Sequence, residues 1–224
     1  NNISQVFGAI LLGLVLSLLI TPLIGRLAKA IGAIDLPANL RSKKERGIQT
    51  RLHKEPKLKL GGLAMVISVG IVLVLTGYIN YIPKGILFGG LAIIVLGIID
   101  DIFYVSGIVQ ILFQFIAAAS VVISGVSITK LVFLGSQISL VGFSLEPINI
   151  LGFQYVFNFP ADIITIIWIV ALMNFINWVG GIDALNGSIT SIALFTVIIL
   201  VFTSRNPVGL ALTPFIALYL GSVL

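Results

Sequence analysis

The chain has no cysteine, and only 9% of its 224 residues are charged. The missing thiols exclude disulfides and thiolate chemistry, although they leave the redox compartment open. The scarcity of charge is more telling, because soluble domains carry roughly one quarter charged residues. Long interruptions by charge are also absent. None falls within residues 1–25, 60–83, 102–129, 163–182, 184–204 or 206–224, and 58% of the chain is hydrophobic. A bilayer core of about 30 Å needs some 20 apolar residues per helix. Residues 85–99 form a shorter run that can still cross if Lys84 snorkels. The composition predicts an all-α, polytopic transmembrane helix bundle of about seven spans, and no repeat or low-complexity tract is visible.

The first run lacks the basic flank and small-residue cleavage site of a signal peptide, so it reads as a first membrane helix. The chain begins with Asn rather than Met and stops inside an apolar stretch at Leu224. It is therefore expected to be a single integral-membrane domain, 1–224, forming the N-terminal part of a longer protein.

The charges that are present cluster. Ten of the thirteen Lys and Arg lie between Arg26 and Lys59. Cytoplasmic loops carry excess Lys and Arg, which places this loop in the cytoplasm. The remaining three, Lys84, Lys130 and Arg205, fall in the loops expected outside. The basic cluster is either a topology signal that touches anionic lipid or a loop that binds a phosphorylated substrate. Nucleic acid is not an expected partner, since no soluble domain presents the cluster.

Counting from that loop puts helices at about 61–79, 83–100, 106–127, 161–179 and 187–204, with a seventh starting near Pro207. Residues 128–160 alternate partly in polarity and carry a Gly-Ser turn, so a β-hairpin-like outer loop is expected there. Pro147 and Pro160 would interrupt any helix in it. With this parity the basic loop, Asp100–Asp101 and the stretch 174–183 share one side of the membrane.

Of eight acidic residues, three sit at those helix ends, in "LGIIDDIF" (96–103) and "NFINWVGGIDALNGSIT" (174–190). Ionisable groups at the edge of a span are costly and point to function. Asp100 and Asp101 repel one another and need a cation, a shared proton or good solvation. With Asp183 they suggest a hard-cation site, since Mg2+ takes carboxylates together with substrate phosphates. The plainer alternative is a solvated loop after the third helix. Asn174 and Asn177, at i and i+3, share a helical face; they either join such a site or hydrogen-bond between helices. Gly180, Gly181 and Gly187 are expected to break the helix around Asp183, as irregular backbone lining a polar cavity does.

At these residues the chain resembles the polyprenyl-phosphate N-acetylhexosamine-1-phosphate transferases of glycosyltransferase family 4. "DLP" (35–37) and "RLHKEPKLKLGGLAM" (51–65) are similar to that family's first motif, matching at Asp35, Pro37, Arg51, His53, Pro56, Gly61 and Gly62. Leu58 replaces a second proline, and about ten extra residues separate the halves. "LGIIDDIF" resembles its Gly-x-x-Asp-Asp, and the 174–190 stretch its Asn-x-x-Asn motif, through Asn174, Asn177, Gly181, Asp183 and Leu185. Departures are Gly180, Ala184, Asn186, and Gln110 where the family has Lys, with Lys57 or Lys59 as substitutes; Gln114 matches. The family's His-rich loop is not in this chain.

The resemblance implies transfer of a sugar 1-phosphate, with GlcNAc-1-phosphate the first choice, from a UDP-N-acetylhexosamine to a polyprenyl phosphate with release of UMP. It implies Mg2+, or alternatively Mn2+, on Asp101 and Asp183, and Asp100 orienting or deprotonating the lipid phosphate. Asn174 and Asn177 would line the nucleotide side, while Arg51, His53, Lys59, Gly61, Gly62 and Gln114 would contact substrate. The expected setting is the plasma membrane among lipids, the site on its cytoplasmic face, with a homodimer left open. Rival readings are an inactive scaffold of the same fold and an ion-coupled transporter. The transporter would need carboxylates near the midplane and broken helices in two repeats.

Overall fold

A computed structural model describes residues 2–35, 56–103, 105–133, 135–150, 153–179, 185–204 and 207–224. In chain order, helix α1 (Asn2–Ala30) leads to strands β1 (Ile34–Asp35) and β2 (Lys57–Leu58) and to helix α2 (Gly61–Leu75). A 3-10 turn, Tyr78–Tyr81, precedes α3 (Lys84–Ile102) and α4 (Gly107–Ile123). Six short strands follow: β3 (Lys130–Phe133), β4 (Ser136–Ser139), β5 (Val141–Ser144), β6 (Ile148–Ile150), β7 (Phe153–Tyr155) and β8 (Asn158–Pro160). Helices α5 (Ala161–Val179), α6 (Leu185–Ser204) and α7 (Pro207–Val223) complete the described chain.

This is a membrane protein built of helices. Segments Ile3–Ala30, Lys84–Ile102, Ala161–Val179 and Leu185–Ser204 are long and apolar enough to cross a bilayer, and α2, α4 and α7 are shorter apolar helices. The sorting of side chains agrees. Buried positions are rich in alanine (Ala28, Ala64, Ala117, Ala118, Ala161, Ala217), whereas Leu19, Leu75, Phe88 and Ile108 point outward. Lipid is as apolar as Leu, so large side chains gain nothing by moving inside, and small residues let helix backbones approach. Hydroxyls within the helices bond back to their own turn, as Ser68 does to the Ala64 carbonyl (2.7 Å) and Thr196 to that of Ile192 (2.8 Å). No polar hydrogen is left to face hydrocarbon at these positions.

The chain divides into two compact units, one of Asn1–Ile79 with Val179–Leu224 and the other of Asn80–Trp178. In the first, α7 packs on α1, α2 and α6. Gly13 and Gly221 bring α1 and α7 into backbone contact: a Cβ on Gly13 would overlap the Leu218 carbonyl, and one on Gly221 that of Ile10. Ser17 donates to the Ser222 carbonyl across the same seam (2.9 Å). Val6, Ile198, Ala217 and Leu220 form the core where α6 joins the pair. Strands β1 and β2 pair antiparallel, setting Asp35 opposite Lys57 and so joining the two ends of the basic segment.

In the second unit, α3 packs on α4 through Gly85 and Gly89, whose added Cβ atoms would meet the Ser120 and Ala117 carbonyls. The Ser120 hydroxyl reaches the Gly85 carbonyl at 2.9 Å. The segment between α4 and α5 is more elaborate than the one hairpin expected. β3 pairs with β4, β5 with β8, and β6 with β7, all antiparallel, the last pair enclosed in sequence by the third and sixth strands of this set. At three or four residues each, these strands are too short to span.

Two helices end sooner than expected. α2 stops at Leu75 rather than 79, and α4 at Ile123 rather than 127. Each runs into a glycine in the left-handed region, Gly77 (φ 72°) and Gly125 (φ 89°). At α4 the Gly125 and Val126 amides turn back to the Val122 and Val121 carbonyls (2.9 and 3.4 Å). That pattern is a glycine C-terminal cap.

Where the strands meet α5, buried Asp162 gathers donors. Its carboxylate accepts from the Ser127 hydroxyl (2.5 Å), the Tyr155 phenol (2.6 Å) and the Asn158 amide (2.8 Å). Thr165, one turn on, accepts from the Ile128 amide (2.8 Å). The loop is thus clamped at both its ends to the first turn of α5. Burial, and then the bond and charge of Asp162, push the Tyr155 phenol well above its ordinary range.

Gly89→Leu should destabilise the second unit by about 1–3 kcal/mol through overpacking. Gly90→Leu, where an added Cβ meets nothing within 4 Å, should be silent; thermal melts in detergent compare the two. The clamp carries its own pH signature. The raised Tyr155 pKa gives stabilisation that is complete below about pH 10 and lost as pH rises through the shifted value. The stability difference between the protein and Tyr155→Phe should therefore be flat up to about pH 10 and shrink above it.

Candidate functional site

Asp100 and Asp101 occupy the last turn of α3, both half-buried. Carboxylates there oppose the helix dipole, whose C-terminal end already carries partial negative charge. Compensation for Asp100 comes from the turn into α4. Its Oδ1 accepts from the Val105 amide and from Gln110 Nε2, both at 3.1 Å. The second Gln110 N–H approaches the Val105 carbonyl (3.4 Å), so one glutamine ties the turn and the carboxylate together.

One turn further along α4 lies Gln114, buried at 7% exposure. Its Oε1 accepts from Asn174 Nδ2 of α5 at 2.6 Å, and Asn174 gives its other N–H to the Val170 carbonyl (2.8 Å). Gln110 and Gln114, at i and i+4, share a face of α4. That face links Asp100 on α3 to Asn174 on α5, so these two residues lie at one end of this unit. Asn177 follows one turn on and is exposed, beside Phe175 and Trp178, whose rings meet edge to face at 5.8 Å. Exposed aromatics at a helix end are the usual mark of the membrane–water interface. The opposite end of α5 carries the Asp162 clamp, so strands and carboxylate pair lie at opposite ends of the unit.

The first motif is only partly described. Lys59, half-buried, gives its amide to the Ala33 carbonyl (3.0 Å). Gly61 and Gly62 open α2 at the surface, with nothing within 4 Å of an added Cβ. Between them and Lys59, Leu60 is buried and holds a left-handed backbone (φ 67°), a strained choice for leucine. Arg51, His53 and Asp183 lie outside the described residues, as do Gly180, Gly181 and Ala184. Gly187, expected in a break, belongs to the first turn of α6. Among the described residues no three His, Cys, Asp or Glu gather as a metal cluster.

Two residues carry more than their sequence context suggested. Gln110 is a side-chain partner of Asp100, and Asp162 organises the strands between α4 and α5. For Gln110 a signal existed, because two glutamines four apart stand out in "GIVQILFQFIAAAS".

Comparison with known proteins settles the family. The family model described as Glycosyl transferase family 4 matches residues 84–224, covering α3 to α7. The chain belongs to glycosyl transferase family 4. Within this family it is similar to a probable undecaprenyl-phosphate N-acetylglucosaminyl 1-phosphate transferase of Bacillus subtilis (strain 168), at 29% identity over 206 residues. That alignment covers 92% of this chain and 51% of the relative, so the chain spans about half the relative's length. No solved structure matches the family 4 chain described here.

The Gln114–Asn174 bond makes a quantitative prediction. A double-mutant cycle with Gln114→Leu and Asn174→Leu should give a coupling of about 0.6 kcal/mol, and at most about 1.7, in reversible unfolding. An activity loss much larger than that coupling would assign the pair a role beyond holding α4 to α5.

Proposed function

We propose that this chain carries part of the active site of an enzyme that transfers a sugar 1-phosphate from a UDP-sugar to a polyprenyl phosphate. The observation that carries the reading is the carboxylate pair at the end of α3, with Asp100 held by Gln110 on the same face of α4 from which Gln114 meets Asn174, in a chain of this family. The name of the Bacillus subtilis relative supports undecaprenyl phosphate as acceptor and N-acetylglucosamine as sugar. The density of Lys and Arg between Arg26 and Lys59 supports a cytoplasmic site by the positive-inside rule.

In this reading an oxygen of the lipid phosphate attacks the phosphorus that bears the sugar. A new P–O bond forms, the bond to the uridylyl phosphate breaks, and UMP leaves with the electron pair. Asp100, oriented by Val105 and Gln110, would accept any proton on the attacking phosphate. Asn174 and Asn177 would face the nucleotide; Lys59, with Arg51 and His53, would offset phosphate charge, and Gly61, Gly62 and Gln114 would shape the approach. The donors are hard oxygens, which suit Mg2+ and suit thiophilic metals poorly. Asp101 and Asp183 would hold the ion, which when bound supplies neutralisation of the diphosphate. Charge neutralisation and in-line positioning are the main demands of such a transfer.

The test is exchange of labelled UMP into the UDP-sugar by the full-length protein in membranes with Mg2+ or Mn2+. Asp101→Ala and Asp183→Ala should each lower exchange by about 100-fold or more while the protein still elutes as a folded species. Exchange that survives Asp183→Ala would remove that residue from the site. No exchange by the unaltered protein would favour the scaffold reading.

A further inference from the structure

The β3–β4 ribbon is two-faced in a way that its surroundings do not use. Its register pairs Leu131 with Ile138 and Phe133 with Ser136, and Lys130 with Ser139 and Val132 with Gln137. Cross-strand partners share a face and neighbours along a strand alternate. One face therefore presents Leu131, Phe133 and Ile138, and the other Lys130, Gln137 and Ser139 around Val132. The apolar face is uncovered, with Leu131 46%, Phe133 67% and Ile138 51% exposed.

Three further observations say what covers it. The ribbon begins a few residues after α4, an apolar helix, and the strands lead directly into α5, which is long enough to span. The clamp of Ser127, Tyr155 and Asn158 on Asp162, with Ile128 on Thr165, holds its base at the first turn of α5. It is thus kept at the membrane surface rather than out in the aqueous phase. Between Ile128 and Pro160 the charged residues are Lys130 and Glu146 alone, and Lys130 sits on the polar face beside the first strand.

We infer that the β3–β4 ribbon is an interfacial membrane anchor: its Leu131–Phe133–Ile138 face is seated in the leaflet that borders the α4–α5 end. Its polar face is turned to water, with Lys130 reaching the lipid phosphates. An amphipathic element of this kind buries its apolar side at the boundary between headgroups and acyl chains, and a long basic side chain snorkels to the phosphates. The inference is independent of the transferase reading, because it concerns the opposite end of the unit from Asp100.

The 224 residues hold no cysteine, so single labels go to chosen positions once any cysteine elsewhere in the full-length protein is replaced. Phe133→Cys and Gln137→Cys, on opposite faces, are nitroxide-labelled in the full-length protein and reconstituted in phosphatidylcholine–phosphatidylglycerol vesicles. Collision with oxygen, which concentrates in lipid, is compared with collision with a neutral nickel chelate, which stays in water. The label at 133 should favour oxygen by several-fold and that at 137 should favour the chelate. Equal, water-like accessibility at both positions would overturn the inference. So would a label at 133 shielded from both reagents, which would show protein, such as a second copy of the chain, covering the face. Both sites are exposed, and the label at 137 reports on folding in the same preparation.

Discussion

Everything in this fold follows from the cost of leaving a polar group unpaired where no water can reach it. A backbone amide in hydrocarbon loses several kcal/mol without a partner. The apolar runs therefore become helices, and their hydroxyls fold back onto the preceding turn. Lipid gives large side chains no reason to hide, so association rests on close backbone approach at Gly13, Gly85, Gly89 and Gly221. The same cost drives carboxylates to the helix ends, where the chemistry of this family is sought.

Helix α4 shows how one helical face can serve several partners. Gln110, Gln114, Ala117 and Ser120 recur at steps of four and three along it. Gln110 reaches Asp100 and Ser120 reaches Gly85, both on α3, while Gln114 reaches Asn174 on α5. The strip is small where α3 must approach and amide-bearing where the polar end of the unit begins. A neutral glutamine beside Asp100 braces the carboxylate without supplying an opposing charge, which a lysine would.

Much of this was readable from residue order, and the failures have physical causes. Uncharged runs mark the seven α-helices of the described residues, because in a bilayer length and apolarity decide the matter almost alone. The ends of α2 and α4 were placed too late, since hydropathy cannot see the left-handed glycines that cap them. The alternation in 128–160 announced strands, but their pairing depends on long-range register that alternation does not encode. The β1–β2 pair is two residues per strand and has no period to detect. The Asp100–Asp101 pair was conspicuous from its position, whereas its bond to Gln110 depends on the geometry of the α3–α4 turn. Asp162, a single acid at the start of α5, is the centre of a clamp because donors far apart in sequence converge on it.

The seam between α1 and α7 has a consequence for how the chain is made. The helices that meet most closely in the first unit are encoded far apart, with the whole of Asn80–Trp178 between them. At about 5–20 residues per second, α7 emerges on the order of ten to forty seconds after α1. During that interval α1 must wait in the bilayer with Gly13 facing lipid, while α3 and α4, adjacent in sequence, can already join. The second unit, continuous in sequence, can assemble while the first is still being synthesised. A ribosome stalled before Pro207 would leave a formed carboxylate turn, with α1, α2 and α6 all lacking the helix on which they pack.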